Sequence, residues 1–192
     1  MITLPDKAAL LARAKAGRQG WSQSAKPTIA PTGPGQESVW DFPRPPAVET
    51  VQKRLKVVFA GTVVAETTRA LRVVETAGAP VYHFPQDDVA MDALRLTDRV
   101  TVCEWKGAAV YYDLVVGERT SAQAAYTYPD PFDDLPQNYA AIAGMTVFYA
   151  GRVDEAWIDE ERVTPQPGGY YAGWVTQNLT GPIKGMAGSE GW

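Results

Sequence analysis

Apolar and polar positions alternate through much of the chain between residues 53 and 163, the period-two pattern of strands that bury one face. Leu55, Val57 and Phe59 share a face over 53–60, and Ala60-Gly61 predicts a tight turn into a returning strand at 62–65. The run 69–75 fits strand or helix, and 81–84 reads as strand. Residues 85–94 predict a short helix, with Pro85 at its start, Asp87 and Asp88 at its positive end, and Val89 and Leu94 on its buried side. Strands follow at 100–105, 108–116 and 120–128, separated by Lys106-Gly107 and Gly117-Glu118. The Val- and Tyr-rich 108–116 carries the strongest strand signal. Further strands are expected at 145–149 and 156–158, the second turning through 159–161 into Arg162-Val163.

The two ends break this pattern. Residues 4–16 predict an amphipathic helix: Pro5 suits the first turn, Asp6 the positive end of the dipole, and Gly17 the stop. Leu4, Leu10, Leu11 and Ala14 form its apolar stripe, fit for docking on the body or on a partner. Residues 17–50 have linker composition, and Pro27, Pro31, Pro34, Pro43, Pro45 and Pro46 oppose both helix and central strand. Val39, Trp40 and Phe42 are placed to pin this arm to the body. From Pro165 the chain is rich in Gly and aromatics (Tyr170, Tyr171, Trp174, Trp192), as expected of an extended wrap. The implied division is an arm at 1–47, one β domain at 48–164 and a tail at 165–192. The fold class expected is mainly β, a small antiparallel sandwich or open barrel with a short N-terminal helix and one short internal helix.

Composition narrows the classes of function. The 192 residues are 45% hydrophobic and 21% charged, enough for a core without covalent staples. Net charge is −4; residues 1–50 hold 6 basic and 4 acidic side chains, and 51–192 hold 12 and 18. No basic cluster suits a nucleic-acid backbone, so no nucleic-acid partner is expected. Cys103 is the one cysteine, which excludes an intramolecular disulfide and fits a reducing compartment. With His83 the one histidine, a Cys- or His-rich zinc site within one chain is also excluded. The first twenty residues lack an uninterrupted apolar segment of the signal-peptide kind, and no run approaches the ~18 apolar residues of a membrane span. The expectation is a cytoplasmic protein without a membrane partner. A homodimer through the arm or the tail stays open, and the sequence leaves any cofactor unknown.

Several motifs recur in a fixed order: Thr68-Arg69-Ala70-Leu71, Tyr82-His83-Phe84-Pro85-Gln86-Asp87-Asp88-Val89, Cys103-Glu104-Trp105-Lys106-Gly107, Tyr111-Tyr112-Asp113 and Tyr126-Thr127-Tyr128-Pro129-Asp130-Pro131. Together they resemble the bacterial domain-of-unknown-function family 427, over roughly residues 48–164. Val39-Trp40-Asp41-Phe42-Pro43-Arg44-Pro45-Pro46 and Gly181-Pro182-Ile183-Lys184-Gly185 resemble flanking segments of longer members. The family usually carries Pro where this chain has Glu104, and often Tyr or Phe where it has His83. The resemblance implies a β fold of the Mss4-like, or β-tent, type. Relatives of that topology often hold structural zinc, which this cysteine count does not permit. The family also carries a nucleotidyltransferase label. The chain has no Gly-Ser pair followed by Asp-x-Asp, the pattern with which polymerase-type transferases hold magnesium.

Candidate site residues follow from chemistry and spacing. Lys106, at an expected hairpin tip between Trp105 and Gly107, reads as an anion-holding ammonium beside an aromatic wall or as a polar turn residue. Cys103 reads as a nucleophile if a cation or base lies near, and otherwise as a small buried hydrophobe. His83 has the titration range for acid–base work but sits in an expected strand. Arg69 could fork onto an anion, or onto Asp88 or Asp113. Strand alternation puts Tyr111 with Asp113 on one face, and Tyr126 with Tyr128 on one face. With Trp105 they offer apolar walls with polar tips, suited to a small-molecule pocket, or a face that the aromatic tail covers.

Three functions remain: a β domain binding a small anionic or nucleotide-like metabolite, an enzyme of group transfer or hydrolysis using Cys103 or a Tyr–Lys pair, and a protein-interaction module. The first would draw on Arg69, Asp88, Cys103, Trp105, Lys106, Tyr111, Asp113, Tyr126 and Tyr128.

Overall fold

Helix α1 (Lys7–Gly20) precedes a succession of strands: β1 (Glu37–Ser38), β2 (Ala47–Thr50), β3 (Leu55–Phe59), β4 (Thr62–Thr67), β5 (Leu71–Val74), β6 (Val81–His83), β7 (Leu94–Cys103), β8 (Gly107–Val116), β9 (Arg119–Thr127), β10 (Thr146–Phe148), β11 (Glu155–Ile158), β12 (Glu161–Arg162), β13 (Thr164–Pro165), β14 (Trp174–Val175) and β15 (Leu179–Thr180). This is a computed structural model, and it describes residues 3–20 and 26–192. Residues 1–2, and residues 21–25 of the expected linker, lie outside the described residues.

The protein is mainly β, as its alternation implies. Two antiparallel four-stranded sheets, ordered β10-β9-β8-β7 and β12-β11-β3-β4, are joined by a three-stranded sheet β2-β5-β6. Among the described residues no sheet closes into a barrel. Turn chemistry sets register: Ala60 and Gly61 both have positive φ, so β3 and β4 close as Phe59 opposite Thr62. The β7–β10 sheet feeds two apolar clusters. Leu114, Ala124, Ala125 and Phe148 pack with Leu55, Val57 and Ile158, while Ala109, Tyr111, Tyr126, Tyr128 and Val147 pack with Val73 and Ala172.

Two local expectations are corrected. The helix begins later than 4 and runs through Gly17 to Gly20. Asp6 caps it, its Oδ1 accepting from the Ala9 N–H at 2.7 Å. The last turn is held by Arg18, which donates to the Glu104 carbonyl (2.6 Å) and to Asp134 Oδ2 (2.8 Å), contacts that outweigh the glycine's weak propensity. In place of a helix at 85–94 stand two 3-10 turns, Gln86–Asp88 and Met91–Ala93, divided by the bridge of Val89 to Ala65. The ambiguous 69–75 resolves into β5. The proline-rich stretch at 17–50 forms no central strand: β1 and β2 both lie at sheet edges, where flanking prolines are tolerated.

Arm and tail bind each other as well as the body. β1 pairs in parallel with β15, and Val39, Trp40 and Phe42 form a third apolar cluster with Val74 and Ala77, against which Ile183 and Trp192 pack. Trp174, in the tail, is fully buried; its Nε1 donates to the Phe148 carbonyl at 3.0 Å, and its ring meets Tyr82 and Phe84. Truncation of a core Trp costs about 3–5 kcal/mol, against about 0.5 kcal/mol or less at an exposed site. Trp174→Ala is therefore expected to lower unfolding stability in urea by that larger amount, whereas Tyr170→Ala, 70% exposed only four residues earlier, leaves it nearly unchanged.

Candidate functional site

The β7–β8 hairpin positions the central residue. Its tip is folded inward: Trp105 and Lys106 are both buried, although turn residues ordinarily face water. Gly107 makes this possible, because its φ of +99° favours glycine and a Cβ there would lie 3.3 Å from the Phe132 ring. The Phe132 N–H donates to the Lys106 carbonyl at 3.1 Å and closes the turn.

The Lys106 side chain, 9% exposed, lines a cavity of about 330 Å³. Its walls include Cys103, Tyr111, Tyr126, Tyr128 and Tyr149 from the β7–β10 region, and Tyr170, Tyr171 and Lys184 from the tail. The tail segment is held over the cavity by Gln166, whose Nε2 donates to the Lys184 carbonyl (2.9 Å) and whose Oε1 accepts from the Ala79 N–H (3.1 Å). The lid strands run backbone to backbone at Gly168 and Gly185; a Cβ on either would lie 2.0 Å from a carbonyl oxygen of the other strand.

Charge in the cavity is unevenly matched. Glu75 Oε1 meets Arg44 Nε at 3.0 Å and Lys184 Nζ at 3.7 Å. Lys106 Nζ makes no hydrogen bond or ion pair among the described residues, and its nearest ring is Tyr128, 5.8 Å to the centroid. Burial opposes the Lys106 charge, but the acidic groups around it, the Glu75 carboxylate among them, outweigh burial and hold its pKa above the usual lysine value. Burial pushes the Tyr126 and Tyr128 phenols well above their ordinary range, so both keep their protons and remain hydrogen-bond donors. The Tyr111 hydroxyl is bonded to Thr101 Oγ1 at 2.9 Å. The cavity is thus rich in donors, with one ammonium left over.

Of the residues singled out from sequence, Cys103, Lys106, Tyr111, Tyr126 and Tyr128 come together here. Trp105 packs beside them but faces the helix, its ring 5.2 Å from the Arg18 guanidinium. Arg69 and Asp88 lie elsewhere and bind each other, Nη2 to Oδ1 at 2.7 Å, with Thr67 Oγ1 donating to Asp88 at 2.6 Å. Asp113 accepts from the Gln123 N–H at 2.7 Å, at the register shift between β8 and β9, and does not reach the cavity. Sequence reading missed Glu75, Tyr149 and Lys184. Tyr149 was open to detection, since it alternates with Val147 onto the face of Tyr126; Lys184 stood only within a flanking motif.

A family model described as Domain of unknown function (DUF427) matches residues 47–159. The chain belongs to this family. The DUF427 region supplies Glu75, Cys103, Lys106 and the wall tyrosines up to Tyr149, whereas the lid tyrosines, Lys184 and helix α1 lie outside it. No curated protein matches the chain. A second cavity of about 280 Å³ borders Glu37, Arg72 and Tyr82, but its Arg72 is already bonded to Glu37 and Glu49, each at 2.7 Å. Among the described residues no three His, Cys, Asp or Glu side chains are grouped to hold a metal ion.

His83 lies behind the cavity, fully buried, with neither ring nitrogen hydrogen-bonded. Burial, and secondarily the Lys106 charge, lower its pKa from 6.5 to about 3. It is neutral in the folded protein near pH 7 and lacks the access that a general base for Cys103 requires. Below pH 6.5 the unfolded chain takes up a proton that the folded chain refuses until about pH 3. Stability therefore falls as pH is lowered through that window, by up to roughly 1.4 kcal/mol per pH unit. His83→Phe is expected to raise stability at pH 7 by about 1–2 kcal/mol, by removing unsatisfied buried nitrogens, and to flatten the acid limb in thermal unfolding from pH 7 to 4.

Proposed function

We propose that this protein is a small-molecule-binding β domain whose ligand is an anion held at Lys106. The observation that carries the reading is the Lys106 ammonium, buried in a cavity with no hydrogen-bonded or ion-paired partner among the described residues. An ammonium that faces a cavity gains most from a directly bonded anion, and a ring 5.8 Å away returns only about 0.5–2 kcal/mol. A bound carboxylate or phosphate supplies the missing partner, with the protonated phenols beside it as further donors. The lone cysteine fits a cytoplasmic setting, and the antiparallel sheets fit the Mss4-like topology that the family resemblance implies. Catalysis at Cys103, which shares the cavity, is the weaker reading, because the chain's one imidazole is buried and neutral.

Lys106→Met tests this reading, since it keeps the apolar stem and removes the charge. Thermal unfolding of the wild type with carboxylates and phosphates should show stabilisation of about 2.7 kcal/mol by a binder at ~100 times its dissociation constant. The variant should lose that response while staying folded, with at most a modest change in stability without ligand. A variant destabilised by several kcal/mol would instead make Lys106 a structural charge.

A further inference from the structure

The cavity around Lys106 changes character from its floor to its mouth. At the floor are the ammonium and the hydroxyls of Tyr126 and Tyr128, all on buried residues. At the mouth stand Tyr170, 70% exposed, and Tyr171, their rings edge to face at 4.9 Å, together with the half-exposed Val102. Exposed aromatic and aliphatic side chains gathered at the rim of a concave site are suited to the apolar body of a ligand. The charges fix its valence. Lys184 and Arg44 both lie against Glu75 Oε1, which leaves Lys106 as the unmatched cation of the floor. The lining carries Lys106 and Lys184 against Glu75 and Glu104, so a second negative charge on the ligand would meet repulsion from the two carboxylates, which favours a monoanion.

We propose that the ligand class is an aromatic monocarboxylate, its carboxylate on Lys106 and the Tyr126 and Tyr128 hydroxyls, its ring against Tyr170, Tyr171 and Val102. This rests on the anion-binding reading above and narrows it. Phosphoryl compounds, which a lysine also binds as a point charge, are disfavoured by the Glu75 and Glu104 carboxylates and not by the cation itself.

The test is calorimetric titration of the full chain with benzoate, acetate, benzamide and phenyl phosphate. Benzoate should bind at least tenfold more tightly than the other three, acetate lacking the ring, benzamide the charge and phenyl phosphate the single valence. Lys106→Met should weaken benzoate at least tenfold. Tyr170→Ala, at a site too exposed to disturb folding, should weaken benzoate several-fold and leave acetate unchanged. If acetate matches benzoate, or phenyl phosphate binds more tightly, the aromatic monocarboxylate is overturned while anion binding at Lys106 stands. If benzoate binds equally well to Lys106→Met, or no anion binds the wild type, the anion reading falls as well.

Discussion

A buried lysine whose ammonium opens into a cavity places strong demands on a small protein, and Lys106 is one. Much of the surrounding architecture serves to place it. The β7–β8 hairpin must turn its tip inward, which requires glycine at 107 and the Phe132 ring against it. The polar side of that tip must be covered, and helix α1 covers it: Arg18 binds the Glu104 carbonyl and Asp134, and lies over Trp105. The cavity must also be roofed, and the tail supplies Tyr170, Tyr171 and Lys184, clamped by the buried Gln166. Arm, tail and central strands are coupled through one side chain.

The same layout separates stability from function. Trp174, in a tail of otherwise irregular structure, belongs to the main core, while Tyr170 and Tyr171 reach the cavity mouth. A single extended segment thus carries an anchor and a lid. The DUF427 match ends at residue 159, so floor and walls belong to the family region and the lid to the flanking chain.

The period-two runs made the central strands legible, and Ala60-Gly61 marked its hairpin correctly because two left-handed residues suit that turn. Propensity failed where tertiary contacts decided: Gly17 did not end a helix whose last turn is held by Arg18, and Val89 left its helix to bridge Ala65. In the site, Tyr111, Tyr126 and Tyr128 were legible because alternation fixes which side of a strand they face. Arg69 and Asp88 fell away because they satisfy each other, the ion-pair alternative that the sequence had left open for Arg69. Lys184 and Glu75 come from segments far apart in sequence, and no local pattern links them to Lys106.

The most direct test of this account is the ionisation and environment of the Lys106 amine, followed by nitrogen NMR of the labelled side chain. The account predicts an ammonium at neutral pH, in a cavity environment, whose resonance shifts on addition of benzoate and recovers on its removal. An unprotonated amine at pH 7, or an ammonium whose resonance ignores every anion added, would contradict it.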